Sequence, residues 1–536
     1  MSEPLEGRPA PRRPLVDAVC GLLAAASALA AAELVAALTN PAAAPLIAVG
    51  GAVVDLAPPW LKDFAVEAFG TADKPVLLGG MAVVLALFAA LAGVLGRTAP
   101  RAGTAGVVLF AAIGVAAALS RPGSGPADAL PATLGGLVAA GVLRLLLRAS
   151  APAVPGAAPD EGEGSGEEAA GDGPGFDRRR FVMVAGAAAG LSAGAGAVGR
   201  LLAVERVDVE AVRRAVRLPA PASPAPPLAD GVDLEIGGLA AFFTPTADFY
   251  RIDTALSVPR VDASTWRLRL HGKGIAEREY AYADLLGRAD LVERDITLAC
   301  VSNPVGGEYV GNARWIGVPL APLLREAGVR PPGEGGPADQ IVSRSVDGMT
   351  IGTPLEDVLD GRDAMLALGM NGVPLPLRHG FPVRMVVPGL YGYVSACKWL
   401  AELELTTFDA FDAYWVPRGW SALGPIKTQS RIDRPRSFDE VPAGDLTVAG
   451  VAWAQHTGID RVEVRVDGGP WQEAGLAAED TADTWRQRAL TVRLEPGDHR
   501  FEARATDRSG RTQTGARAPV APDGATGWHS VSVTAA

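Results

Sequence analysis

Four apolar stretches in the first 150 residues are each long enough to cross a lipid bilayer, and nothing else in the chain constrains its fold as tightly. They run over about 15–38, 75–96, 103–120 and 127–147. A hydrocarbon core takes roughly 20 residues of helix. A shorter apolar run over about 42–57 ends at Pro58-Pro59-Trp60. It is expected to be a re-entrant or interfacial piece followed by a surface helix around 60–69, with a full crossing as the alternative. Asp17 and Glu33 fall near or within the first span, where an isolated charge is costly. Helix-end or bundle-facing carboxylates are the expected role, and an ion path is the competing one.

Arginine placement orients these spans. Arg12 and Arg13, Arg97 and Arg101, and Arg144 and Arg148 fall on one side if the spans alternate, with Arg121 dissenting. Residues 151–176 form a linker rich in Pro, Gly and acid (Asp160, Glu161, Glu163, Glu167, Glu168, Asp172), too polar to pack a core. Then Asp177-Arg178-Arg179-Arg180-Phe181-Val182 opens an Ala/Gly run over 177–204, which has the form of a twin-arginine export signal inside the chain. An ordinary anchor with basic flanks is the plainer possibility. Either one is a fifth span that delivers everything after it to the outside. Without a clear small-residue cleavage site, the helix is expected to stay as an anchor. Gly194-Ala195-Gly196-Ala197-Val198-Gly199 matches GxGxxG but follows no strand, so a dinucleotide site is not expected. Gly186, Gly190 and Gly194, four residues apart, are expected to let the bundle approach this helix closely.

A formal net charge of -11, with no basic patch in the second half, argues against nucleic acid as a partner. Cys20, Cys300 and Cys397 are too few and too scattered for a disulfide framework or a zinc site. All five histidines (His271, His379, His456, His499, His529) lie beyond the apolar stretches, which excludes a bis-histidine haem among them.

Residues 205–240 are a Pro/Ala-rich connector, expected to be extended over Leu218–Pro227. From 241 to 432, strand-like runs such as Thr265–His271 alternate with helical ones such as Pro319–Ala327, which predicts a mixed α+β domain. From 433 to 536, Leu446–Trp453, Arg461–Val466, Ala489–Leu494 and His499–Ala505 alternate between turns such as Asp467-Gly468-Gly469, predicting an immunoglobulin-like β-sandwich.

Two blocks in the α+β region carry a specific likeness. The first is Thr297-Leu298-Ala299-Cys300-Val301-Ser302-Asn303, followed by Ala313-Arg314-Trp315-Ile316-Gly317-Val318-Pro319-Leu320. The second is Met370-Asn371-Gly372-Val373-Pro374-Leu375-Pro376, continuing through His379-Gly380-Phe381-Pro382-Val383-Arg384, Val387-Pro388-Gly389 and Lys398-Trp399-Leu400. Together they resemble the molybdopterin-binding domain of the sulfite oxidase family. Thr244-Pro245 with Phe249-Tyr250-Arg251 resembles its entrance segment, and the C-terminal sandwich resembles its dimerisation domain. The likeness covers about 241–536.

The resemblance implies a molybdenum–molybdopterin cofactor, no haem in this chain, and Cys300 as the metal ligand. A soft thiolate suits a thiophilic metal, and this one ends a strand-like run where loops gather around a ligand. Asn303, Arg314, His379, Arg384 and Lys398 are the expected cofactor-binding residues, since arginine forks match phosphate oxygens. Cys300, Arg251, Trp420 and Tyr414 are the expected catalytic set. Where the family carries substrate-binding arginines after the cysteine segment, this chain has Pro304 and Val305. Where a tyrosine is expected near the metal, Trp420 aligns, with Tyr414 and Arg418 close by. Cys397 is expected to be a core thiol, and Cys20 a small apolar residue of the first span.

The implied activity is oxygen-atom transfer on a small sulfur-containing substrate by a multi-pass cell-membrane protein with its catalytic domain outside. A separate electron-transfer partner is expected, and a homodimer is possible. Reduction of an S-oxide such as oxidised methionine is the alternative within the class, and a non-catalytic membrane receptor the alternative outside it.

Overall fold

The computed structural model describes residues 13–58, 61, 64, 68–69, 73–121, 124–151, 178–205 and 208–536. Arg12, Pro59, Trp60 and the acidic linker over 152–177 lie outside the described residues. The chain divides into two compact units, Met1–Asp208 and Val209–Ala536.

The first unit is helical throughout its described residues. Its long helices are Pro14–Leu38, Asp73–Thr98, Pro100–Leu119, Leu130–Ala149 and Arg178–Glu205. Proline opens several of them, at a position where its missing N–H costs nothing. Five helices in this unit are long and apolar enough to cross a membrane. Outward side chains such as Leu87, 67% exposed, and Val83, 61% exposed, offer apolar surface to the surroundings. The helix Pro45–Leu56 has only 12 residues, about 18 Å of rise and short of a full crossing.

The helix Pro14–Leu38 packs against three of the others. Small residues permit the approach: a β-carbon on Gly21 would meet the Ala89 carbonyl oxygen at 1.9 Å, and one on Gly93 the Asp17 oxygen at 2.0 Å. Asp17 is buried and bonded to Arg97 at 2.6 Å, so it is a bundle-facing carboxylate with a counter-charge. Arg121, the dissenting charge, pairs with Asp55 at 3.1 Å. One expectation is corrected. No described atom comes within 4 Å of a β-carbon on Gly186, Gly190 or Gly194; Gly196 and Gly199 are the glycines that face Ala30 and Leu34 of the first helix. Four-residue spacing identified a stripe but not the direction it faces.

The second unit holds four sheets. One runs β3 (Val292–Ala299), β4 (Val310–Pro319), β7 (Met365–Met370) and β8 (Val373–Pro374), with β9 (Arg384–Val386) also on β7. Another runs β2 (Arg278–Ala281), β1 (Arg267–Gly272), β10 (Leu400–Thr406), β5 (Gln340–Ser345) and β6 (Thr350–Pro354), with β1 and β10 parallel. Short helices such as Leu320–Glu326 follow the strands, giving the expected α+β mixture.

The last two sheets face each other. They are β11 (Gln429–Arg434), β13 (Gly444–Trp453), β17 (Arg486–Leu494) and β16 (Gly475–Leu476), against β12 (Glu440–Val441), β19 (His529–Ala535), β18 (Gly497–Asp507), β14 (Ile459–Val466) and β15 (Gln472–Glu473). Alternate residues such as Leu446, Val448, Val464, Val492, Phe501 and Val531 point inward and form one core. In the connector Val209–Ala215 forms a short helix, residues 218–227 are free of helix, and Ser223 bridges to Val292 at the edge of β3. Further on, Val232 and Phe242 are buried with Trp453 and Trp485 between the sandwich and the α+β sheets.

Candidate active site

Cys300 directly follows β3, and a loop returns the chain to β4. The loop closes on itself: Cys300 N donates to the Tyr309 oxygen at 2.9 Å, and the Asn303 side-chain oxygen accepts from Tyr309 N at 2.9 Å. Asn303 therefore shapes the turn that presents the thiol. Ser302 Oγ lies 2.9 Å from Cys300 Sγ. Burial pushes the thiol's pKa up, opposed by the Ser302 bond and by the positive charge of Lys398. Left alone, such a thiol stays protonated, and a bound metal ion supplies the charge that ionises it.

The C-terminal sandwich clamps this loop. Gly306 has φ +79°, and a β-carbon there would meet the His529 ring at 2.0 Å. Arg431 donates to the Gly307 oxygen at 3.0 Å, and Ile432 N donates to His529 Nδ1 at 2.9 Å.

The second sequence block builds the opposite wall. Asn371 and Gly372, at φ 50° and 78°, form the two-residue turn between β7 and β8, where both centres need positive φ. The Asn371 amide donates to Thr244 O and Thr246 Oγ1, both at 3.1 Å, so the turn holds the entrance segment. His379 Nε2 lies 3.3 Å from Thr246 O, and its ring meets Phe249 edge-on at 5.6 Å. Burial, then the nearby Arg384, hold its pKa down at about 3, so the ring is neutral.

Arg384 is 5% exposed and lies 5.0 Å over Trp315. Its NH1 donates to the His379 oxygen at 3.4 Å, while its buried Nε has no hydrogen-bond partner. Burial lowers its pKa to about 10, which leaves it charged at neutral pH. A buried guanidinium with an unsatisfied donor and no carboxylate in its bonding set suits an anionic group such as a phosphate. Tyr250 stacks on Phe249 at 5.3 Å, and Phe249 meets Trp315, the ring under Arg384, edge-on at 5.9 Å. A β-carbon on Gly392 would lie 3.6 Å from the Ala299 oxygen and 3.7 Å from the Tyr250 hydroxyl, so Tyr250 also borders the start of the Cys300 loop.

Lys398 completes the cluster. Its Nζ bonds Asp253 at 2.9 Å and lies 4.7 Å over Trp399. Arg251 also reaches Asp253, at 3.4 Å. Trp420 packs against the cluster containing Ala299, Val301 and Tyr391, the neighbourhood of Cys300. Tyr414 is a step further out: its ring lies 5.1 Å from Trp415, which lies 6.1 Å from Trp420.

Arg314 requires a correction. It is fixed by Asp295, directly opposite on β3, through bonds of 2.7 and 2.6 Å, and it lies over Phe243. Neighbouring residues of a strand point to opposite faces, so Trp315 and Arg384 share one face of β4 while Arg314 takes the other. That other face meets the sandwich, where Thr297 Oγ1 accepts from Trp485 N at 2.8 Å. Arg314 is therefore not part of the Cys300 cluster.

Sequence reasoning did not nominate Tyr250, Tyr391, Ser302 or Asp253. Tyr391 is 4% exposed, burial pushes its pKa up to about 12, and it interacts with Cys300. Its position two residues after the Val387-Pro388-Gly389 block was the available signal. Among the described residues, one other group has ligand-like spacing, His271 with Glu402 and Glu404. Arg344 reaches both glutamates, at 3.3 and 3.8 Å, which makes this an ion-pair ladder on the sheet.

Comparison with known proteins follows the same lines. Residues 255–415 match the family described as oxidoreductase molybdopterin binding domain. Sulfite oxidase of Gallus gallus is 31% identical over 324 residues, covering 52% of this chain and 70% of that protein. Mitochondrial sulfite oxidase of Mus musculus is 29% identical over 325 residues, which are 52% of this chain and 58% of its own length. Among solved structures, the sulfane dehydrogenase SoxCD of Paracoccus pantotrophus is 24% identical with a TM-score of 0.45, covering 51% of this chain and 75% of that one.

Proposed function

Because the chain belongs to the sulfite oxidase family of molybdopterin-dependent oxidoreductases, we propose that it is a membrane-anchored, extracytoplasmic enzyme that transfers an oxygen atom to or from a small sulfur compound. The matched oxidoreductase domain leaves no support for the non-catalytic receptor. In this reading the five apolar helices anchor the enzyme, with Arg178, Arg179 and Arg180 at the cytoplasmic start of the last. The paired C-terminal sheets form an immunoglobulin-like module, and electrons pass through a separate partner.

Cys300 ligates the molybdenum, and His379, Arg384 and Lys398 hold the pterin and its phosphate. When bound, the cofactor supplies the two-electron oxygen-atom chemistry, and the protein orients it and selects the substrate. Tyr250 and Tyr391 keep their hydroxyl protons at neutral pH, because burial raises both pKa values. They thus border the thiol with uncharged polar groups. Arg384 offers fixed positive charge where water is excluded, which strengthens its hold on an anion.

The observation that carries the reading is the buried, carboxylate-free Arg384 with its unsatisfied Nε over Trp315, joined through Phe249 to Tyr250 at the start of the Cys300 loop. Molybdenum and pterin analysis of the purified wild type and Cys300→Ser tests it. The wild type should carry both. Cys300→Ser should keep pterin but lose turnover and the absorption bands of a molybdenum–cysteine bond. Wild type free of molybdenum after cofactor-competent expression would sink the proposal.

The second reading, reduction of an S-oxide, is favoured by a specific observation. Pro304 and Val305 stand where the resemblance implies arginines for an anionic substrate.

A further inference from the structure

Three bundle helices enclose a cleft that the oxygen-transfer chemistry does not use. It lies among Asp73–Thr98, Pro100–Leu119 and Leu130–Ala149 and has a volume of about 70 Å³. Gly96, Thr104, Val107, Leu143, Arg144 and Leu147 are among the residues that line it. Glycine brings these helices together: a β-carbon on Gly96 would meet Leu147 at 2.8 Å, and one on Gly103 would meet Gly96 at 2.6 Å. The floor is apolar, with Leu143 buried and Val107 and Leu147 packed against the same cluster. At the rim Thr104 and Arg144 are exposed, and Thr104 Oγ1 already donates to the Pro100 oxygen at 2.9 Å.

The charges around this cleft do not balance. Asp17 is taken by Arg97 at 2.6 Å, and Arg97 also donates to the Leu147 oxygen at 3.0 Å. Arg101, Arg144 and Arg148 have no ion pair or side-chain hydrogen bond among the described residues. Arg144 precedes the last residue of its helix, Ala149, by about 7.5 Å of rise. A long arginine at that depth reaches the headgroup level of a bilayer while its stem stays in the apolar layer. From this arrangement we infer that the cleft seats an anionic phospholipid, its phosphate on Arg144 and one acyl chain along Val107, Leu143 and Leu147. Charge complementarity selects the headgroup, since basic recesses between spanning helices suit anionic lipids. A free phosphate would meet the arginine but leave the apolar floor uncovered, whereas a lipid covers both. The inference rests on the membrane reading above and names a ligand for the bundle.

The test uses the full-length protein, freed of native lipid in a neutral detergent. Short-chain phosphatidylglycerol is titrated in, and bound lipid is counted by native mass spectrometry. Phosphatidylcholine of the same chain length and inorganic phosphate are titrated separately. Three variants accompany the wild type. Arg144→Gln removes the cation at the rim, and Ala140→Leu fills the cleft while keeping every charge. Arg148→Gln removes a cation one turn further along the same helix that does not line the cleft.

The wild type is expected to bind one phosphatidylglycerol at least about fivefold more tightly than phosphatidylcholine, the size of one arginine's attraction to an anionic headgroup. Arg144→Gln should weaken that binding about tenfold, as expected for a lost charge-assisted bond. Ala140→Leu should weaken both lipids about fivefold, as one or two methylenes lose their seat. Arg148→Gln should cost less than about threefold, because only its distant charge is lost. Arginines that served membrane orientation alone would make Arg144→Gln and Arg148→Gln equivalent, and that result overturns the inference. So does phosphate that binds as tightly as the lipid, or phosphatidylglycerol that binds no better than phosphatidylcholine. Should Arg144→Gln fail to fold, Ala140→Leu decides alone, and unchanged lipid binding there overturns the inference. A chain that stays soluble without detergent and ignores vesicles overturns the membrane reading and the inference with it.

Discussion

The two faces of β4 handle arginine in opposite ways. On the sandwich side, Arg314 meets Asp295 through two short bonds, and the pair is complete within the protein. On the other side, Arg384 lies buried over Trp315 with an unsatisfied Nε. A partly buried ion pair whose charges meet within the fold stabilises it modestly, whereas a buried charge without a counter-ion destabilises it until something anionic arrives. In the proposed reading, one face of the strand is architecture and the other holds the cofactor.

Substituting each arginine in turn would show whether that contrast holds. Arg384→Met should produce the largest effect, a loss of cofactor retention of roughly a hundredfold, the size expected for charge-assisted bonds in a dry site. The cofactor-free protein should melt no lower than wild type. Cofactor content and Tm are both needed, because lower stability with cofactor retained would reverse the assignment. Arg314→Met should do the opposite, leaving molybdenum content unchanged while stability falls by about 2 kcal/mol as Asp295 is left buried without a partner.

An uncharged contact supplies the control. Gly306→Ala puts a side chain on a positive-φ residue against His529, and about 1–2 kcal/mol should be lost whether or not cofactor is bound. A loss confined to the cofactor-bound form would mean that the loop, not the charge, governs binding. The smallest effect expected is from inorganic phosphate on cofactor-free protein. At ten times its dissociation constant it should stabilise by about 1.4 kcal/mol, and the gain should vanish in Arg384→Met.

Motif and strand order made much of the site legible in sequence. Cys300, His379, Arg384 and Lys398 sit in contiguous blocks whose local turns, such as Asn371-Gly372, fix their own geometry. Strands β14 and β18 were visible through period-two burial, and β17 through its last residues, whereas β13 is buried on both faces over Val448–Trp453 and was visible as an apolar run. What failed was orientation. Arg314 was grouped with Trp315 because they are adjacent, although adjacency in a strand means opposite faces. Gly186, Gly190 and Gly194 were assigned to packing by their spacing, which does not say which side of a helix has a neighbour. Asp253 went unnoticed because its partner Lys398 is 145 residues away, and no local pattern reports such a pairing.

The His529 ring occupies the space a side chain at position 306 would need, and Arg431 grips the next residue. In evolution these positions can change only in concert, because a bulkier residue at 306 requires a smaller one at 529. A recombination joint near residue 433 would therefore cut through a single inherited unit, and a sandwich borrowed from another lineage would arrive without the shape that this ligand loop was moulded against.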